Sequence, residues 1–180
     1  MEIINTPINQ LIILKPTLFY DHRGYFFESY NQKLFKQLNI DYTFVQDNQS
    51  ESKKGVIRGL HFQNPPFAQA KLVRVIQGEI LDVAVDLRKE SATFGQSYKV
   101  HLSGENQLQL LIPEGFAHGF VALEDHTIVH YKCSQFYNKE AEGTILYNDP
   151  SLNIDWEIDH PITTEKDLQG VSFKNYVSPF

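Results

Sequence analysis

Three short segments hold most of the side chains that could move protons. Between residues 46 and 71 the chain reads QDNQSESKKGVIRGLHFQNPPFAQAK, so Gln46, Asn48, Arg58, His61, Gln63 and Lys71 crowd a stretch where a core should be apolar. The second segment, Ile112 to Phe120, is a Pro-Glu-Gly turn entering a strand that carries His118. In the third, Ile128 to Cys133, alternation puts Tyr131 on one face with Val129 and Cys133, giving a phenol apolar neighbours. An imidazole titrates near about pH 6.5 and can take a proton at working pH, while a phenol near pKa ~10 stays protonated and can donate one. An ammonium in a dry interior can hold a developing oxyanion, an effect of roughly 2.7 to 4 kcal/mol for a single contact.

Strands must position these groups. Leu81, Val83, Val85 and Leu87 alternate with Asp82, Ala84, Asp86 and Arg88, which predicts a half-buried strand. The same period fits Tyr98, Val100 and Leu102 against Lys99 and His101, and Leu108, Leu110 and Ile112 against Gln107, Gln109 and Leu111. Strands are therefore expected to dominate from about residue 56 to 137, broken at Gln77-Gly78, Ser103 to Asn106 and Pro113 to Gly115. A regular pleat over Val56 to Gln63 sends His61 and Gln63 to one face and Arg58, Leu60 and Phe62 to the other, although Gly59 marks a site for a bulge. Helix is expected only at residues 31 to 38, with Asn31 as N-cap, and around Thr164 to Leu168. This pattern indicates one mainly β domain over residues 1–180, a sandwich or barrel of jelly-roll type with a few short helices.

Composition agrees with a folded domain. Of 180 residues, 42% are apolar and 21% charged, which excludes collagen, coiled coil and disorder. A formal charge of −6 makes nucleic acid and membrane surfaces poor partners, but a local Arg and Lys cluster can still bind a phosphate. Cys133 is the only cysteine, so no internal disulfide can form, and it reads as a small core residue. Without a basic, apolar leader or a long apolar run, a cytoplasmic location is expected.

Gly55 to His61 and Pro113 to His118 approximate the two cupin motifs, yet Gln63 stands where metal-binding cupins usually place a second histidine. A carboxamide is a poor ligand for a borderline metal, so no metal and no cofactor are expected. A more extended series follows in order: D-x-R-G-x-F-x-E at Asp21 to Glu28, Q-x-N at Gln46 to Asn48, R-G-L-H-x-Q at Arg58 to Gln63, Q-A-K-L-V at Gln69 to Val73 and D-V-A-V-D-L-R at Asp82 to Arg88. S-x-T-F-G at Ser91 to Gly95, P-x-G-F-A-H-G-F at Pro113 to Phe120, Tyr131-Lys132 and Lys166-Asp167 complete it. By these motifs the chain resembles the dTDP-4-dehydrorhamnose 3,5-epimerase family of cupin-type jelly rolls. The resemblance implies a dTDP-4-keto-6-deoxy sugar substrate whose C4 ketone acidifies C3 and C5. It implies His61 as base, Asp167 as its orienting carboxylate, Tyr131 as the acid on the opposite face of the sugar and Lys71 near the oxyanion. Arg23, Arg58 and Lys166 would hold the diphosphate; Glu28, Gln46, Asn48 and Glu142 would contact nucleotide or sugar, beside Gln63 and His118. Phe26 would stack on or wall off the base. Arg23 and Glu28 lie in a segment that in this family can reach across a homodimer interface.

Plainer readings exist for each residue alone. His118 could line the pocket, bonded to Asp82 or Asp86, or only brace the barrel. Tyr131 could pack a core face, Lys71 could extend its ammonium to water, Arg58 and Arg23 could be surface ion pairs, and Asp167 could decorate a turn, since the family's S-x-K-D reads Thr164-Glu165-Lys166-Asp167 here. His22, His101, His126, His130 and His160 belong to no motif and read as surface or structural. A mono-epimerase or 3,4-ketoisomerase of the same fold and a non-catalytic sugar-binding cupin remain open alternatives, while Gln63 disfavours a metal-dependent oxygenase.

Overall fold

A computed structural model describes residues 1–180. In chain order the strands are β1 (Glu2–Asn5), β2 (Ile12–Lys15), β3 (Phe19–Asp21), β4 (Gly24–Phe26), β5 (Gln46–Ser52), β6 (Ile57–Gln63), β7 (Lys71–Gln77), β8 (Glu79–Asp86), β9 (Ser97–Ser103), β10 (Gln109–Ile112), β11 (Phe116–Ala122), β12 (Thr127–Cys133) and β13 (Glu142–Thr144). Two short helices accompany them, α1 (Gln32–Gln37) and α2 (Glu165–Leu168). A six-stranded sheet in the order β1-β2-β10-β7-β12-β5 faces a five-stranded sheet in the order β13-β6-β11-β8-β9, and β3-β4 stands apart as a hairpin. This is the cupin-type jelly roll.

The space between the sheets is apolar over much of its length. Ile13, Val73, Val75 and Leu110 from one sheet meet Ile80, Ala84, Leu102, Phe116 and Phe120 from the other. A second core lies outside the five-stranded sheet, where Ile57, Leu60, Leu81, Val83, Val85 and Val121 pack under Ile145, Tyr147, Leu152 and Trp156 of the C-terminal segment. Strand β8 is thus covered on both sides, and the predicted half-buried strand is corrected: Asp82 and Asp86 face interior and are fully buried. The C-terminal segment supplies the cover that the alternation alone does not reveal.

Local capping agrees with expectation. Asn31 accepts from the backbone N–H of Lys33 and Leu34 at the start of α1, and Phe35 of that helix packs on Leu14, Leu72 and Leu111 of the six-stranded sheet. Strands β1 to β5 precede the region expected to be richest in strand. Several are three or four residues long, too short for period-two counting to register.

The crossing of β6 and β11 decides which side chains reach the interior. Opposite β11, the pairing runs His118 with His61 and then Phe120 with Arg58, with a register shift between them. Gly59 sits at this bulge with φ +140°, and a Cβ there would collide with Gly119 and lie 2.9 Å from the His118 carbonyl. Arg58 and His61, which a regular pleat would separate, consequently line the same pocket. Replacing Gly59 by Ala adds a strained backbone angle and an overpacked contact, together about 3 kcal/mol, and should lower the thermal midpoint by about 6–12 °C in a calorimetric scan.

Candidate active site

One end of the sandwich is left open, and register explains which residues face it. Directly opposed residues of antiparallel strands share a face. On the six-stranded sheet this produces three rows across β7, β12 and β5: Lys71 with Cys133 and Gln46, Val73 with Tyr131 and Asn48, Val75 with Val129 and Ser50. From the opposite sheet come Arg58, His61 and His118.

These side chains enclose two adjoining chambers of about 270 and 210 Å3, whose walls share His61, Lys71 and Tyr131. The first adds Gln46, Asn48, Gln63, Gln69, Cys133, Tyr137 and Glu142. The second adds Ser50, Arg58, His118, Phe120, Thr164, Lys166 and Asp167. Their combined size is that of a small-molecule site with convergent polar groups.

His61 Nε2 stands 2.6 Å from Oδ1 of Asp167, a residue 106 positions further along the chain. The carboxylate accepts a proton-bearing Nε2, which leaves the lone pair on Nδ1. Asp167 is brought there by α2: Thr164 caps the helix, and its hydroxyl donates to Asp167 Oδ2 at 2.9 Å. Burial alone would raise the Asp167 carboxyl, but the hydrogen bond and charge of His61, with help from Thr164, hold it below the usual carboxylate range.

The other wall differs in character. Burial pushes the Tyr131 phenol up, so it remains protonated through neutral pH. Burial lowers the Lys71 ammonium, opposed by the nearby Cys133, Asp82 and Glu142. Lys71 therefore sits where its charge is weakly solvated and acts at short range. His118 Nε2 lies 3.0 Å from both oxygens of Asp82, so of the two carboxylates considered for it, Asp82 is the partner and Asp86 is not. Asp86 instead binds Arg88, Ser91 and Thr93, which together draw its carboxyl down to about 2 against the upward push of burial.

Cation placement favours an anionic ligand. The Arg58 guanidinium donates to Ser52 Oγ and the Glu51 carbonyl, neither of them charged, and stays free to meet a phosphate. Lys166 is paired with Glu142, which also accepts from the Tyr137 hydroxyl. Burial raises the Glu142 carboxyl, and Lys166 with Tyr137 more than reverse this.

Other expected residues fall differently. Gln63 lines the first chamber, but its amide donates to the Phe67 and Phe136 carbonyls and accepts from Asn138 N–H, so it clasps two loops. Arg23, Phe26 and Glu28 are not brought to these chambers: Arg23 and Phe26 are exposed on the β3-β4 hairpin, with Arg23 paired to Asp21, and Glu28 accepts from Asn31. Cys133 is buried yet belongs to the pocket wall rather than to the core alone. Ser50, Gln69, Thr164 and Tyr137 are lining residues that the sequence analysis did not single out as site residues. Continuing the alternation Gln46, Asn48, Ser50 would have found the first. The histidines outside the motifs are peripheral where they pair: His101 with Glu79 and Glu157, His126 with Glu51, His130 with Asp47.

The model of the dTDP-4-dehydrorhamnose 3,5-epimerase family matches residues 5–175. The chain belongs to this family. It is 51% identical over 174 residues to the dTDP-4-dehydrorhamnose 3,5-epimerase of Shigella flexneri, covering 96% of each chain. Among solved structures, the Legionella pneumophila dTDP-6-deoxy-D-glucose-3,5-epimerase in complex with dTDP-4-keto-L-rhamnose superposes with a TM-score of 0.93 at 46% identity, covering 97% of this chain and 93% of that one. A 3'-monoepimerase from Streptomyces bikiniensis in complex with dTDP-quinovose shares the fold at TM-score 0.88 but only 30% identity, covering 93% and 85%.

The buried carboxylate of Asp167 gives this family site a measurable pH signature. With its folded value below the unfolded value of about 3.9, Asp167 stabilises the fold fully above about pH 5 and loses that contribution as pH falls through the folded value. Asp167→Asn should cost about 1–3 kcal/mol in urea unfolding at pH 7, and the gap to the parent protein should narrow below about pH 4.

Proposed function

We propose that this protein is a dTDP-4-dehydrorhamnose 3,5-epimerase that inverts C3 and C5 of dTDP-4-dehydro-6-deoxy-glucose. The observation that carries the reading is the shared wall of the two chambers: an imidazole backed by a carboxylate and a protonated phenol border one cavity, with an ammonium beside them. The C4 ketone makes the protons on C3 and C5 acidic. His61, its Nε2 proton directed at Asp167, takes the carbon-bound proton through Nδ1. The enolate that forms carries its charge on the C4 oxygen, which Lys71 stabilises in a water-poor site. Tyr131 returns a proton to the other face, completing the inversion.

Arg58 and Lys166 serve the diphosphate, with Arg23 and Phe26 supplied from the exposed hairpin, and Glu28, Gln46, Asn48, Glu142 and His118 contact nucleotide or sugar. The hairpin's distance from its own chambers supports a homodimer in which each site draws on two subunits. Exposed Phe19, Tyr20, Tyr25 and Phe26 give that contact an apolar surface. We assign residues 1–180 to one domain, working in the cytoplasm. No role is given to a metal or cofactor, because Gln63, its amide taken up by two loops, leaves His61 and His118 short of the three or four ligands a borderline metal needs. The identity of 51% to a double epimerase, against 30% to a mono-epimerase, supports inversion at both carbons.

The reaction run in D2O should place deuterium at both C3 and C5 of the sugar, read by NMR or mass spectrometry. His61→Ala should slow this wash-in by at least about a hundredfold. Equal exchange in the two proteins removes the assigned base. Deuterium at one carbon only makes the protein a mono-epimerase, and none at all makes it a binding protein.

A further inference from the structure

We infer that Thr164 is a positioning residue of the epimerase, orienting the carboxylate of Asp167 so that its other oxygen is held against His61; this rests on the epimerase reading above. Asp167 is 2% exposed, and each of its two oxygens has one side-chain partner. Oδ1 meets His61 Nε2 at 2.6 Å, and Oδ2 takes the Thr164 hydroxyl proton at 2.9 Å. Thr164 Oγ1 also accepts from the Asp167 N–H at 3.4 Å, so backbone and carboxylate of Asp167 are tied to the same oxygen. A hydroxyl has a single proton to donate, and here it is given to the carboxylate.

The geometry has a direct chemical consequence. A carboxylate free to rotate would offer both oxygens to Nε2 in turn, and the imidazole would follow it. Without the hydroxyl, the buried carboxylate loses its one side-chain donor other than His61, which raises the proton affinity of the His61–Asp167 pair as a whole. The pair would then be protonated, and inactive as a base, at a higher pH. Thr164 also lines the second chamber with Arg58, which has no carboxylate partner, and with Lys166, which is paired with Glu142.

The test compares Thr164→Ala, Thr164→Gly and Thr164→Ser with the parent protein, measuring kcat, KM and their pH dependence on the dTDP-4-keto-6-deoxy sugar together with deuterium wash-in. Glycine is nearly as good an N-cap as threonine, so Thr164→Gly removes the donor while sparing the helix. Alanine and glycine variants are expected to lose about tenfold or more in kcat, to keep KM within about threefold, and to move the acidic limb of kcat/KM up by about one pH unit. Serine should restore both rate and limb. In an Asp167→Asn background, adding Thr164→Ala should change kcat less than about twofold, because the two act as one unit. Unchanged rate and limb in Thr164→Gly, a loss confined to KM, or an equal loss in the Asp167→Asn background would each overturn the inference. A parent protein that exchanges no deuterium sinks the epimerase reading itself, whereas an active parent with indifferent Thr164 variants sinks only the positioning role.

Discussion

A carboxylate from the end of the chain meets an imidazole from its middle, and the architecture around the pocket serves that meeting. His61 lies on β6, a strand tied to β11 on one side and β13 on the other. Asp167 lies on a helix of four residues that has no stability of its own. It is held because the segment beyond β13 lies over the outer face of the five-stranded sheet, burying Ile145, Tyr147, Leu152 and Trp156 against Leu81, Val83 and Val85. Parallel bridges of Val56 to Ile162 and Ile145 to Val171 then bracket α2. Apolar burial remote from the chemistry fixes a polar contact within it.

The two sheets divide the labour. The six-stranded sheet presents a ladder of side chains at regular register, where Lys71, Tyr131, Asn48 and Ser50 follow from antiparallel pairing alone. The five-stranded sheet abandons regularity at Gly59, and this brings Arg58 round to the side of His61. A uniform pleat could turn either His61 or Arg58 toward the cavity, but not both. The close backbone approach of Gly59 and Gly119 is what the bulge requires, and no side chain larger than hydrogen fits there.

The legibility of these features from sequence varied with their physical origin. His61, Lys71, Tyr131 and His118 were readable because motif order and strand alternation agree at those positions. The helix at Gln32–Gln37 was readable from Asn31, whose side chain caps it. A regular pleat alone would turn Arg58 away from His61, since period-two counting fails wherever a glycine admits an extra residue, and Gly59 is the mark of that exception in the sequence. Alternation predicts one exposed face for strand β8, because its second cover comes from residues far away in sequence. Ser50 continues the alternation of Gln46 and Asn48, while Tyr137 lies in a loop with no periodicity to mark it. Arg23, Phe26 and Glu28 matched a motif yet stand away from the cavity of their own chain. No local pattern encodes that separation.

The span of 106 residues between the two members of the pair has a meaning for biosynthesis. At roughly 5 to 20 residues per second, a ribosome places the acid roughly 5 to 20 s after the imidazole has been made. During that interval the nascent β6 can pair with β11 while its histidine remains unpartnered. The His61–Asp167 pair therefore forms late in translation, after the jelly roll's central strands are available to fold, and an interrupted chain carries the imidazole without its carboxylate partner.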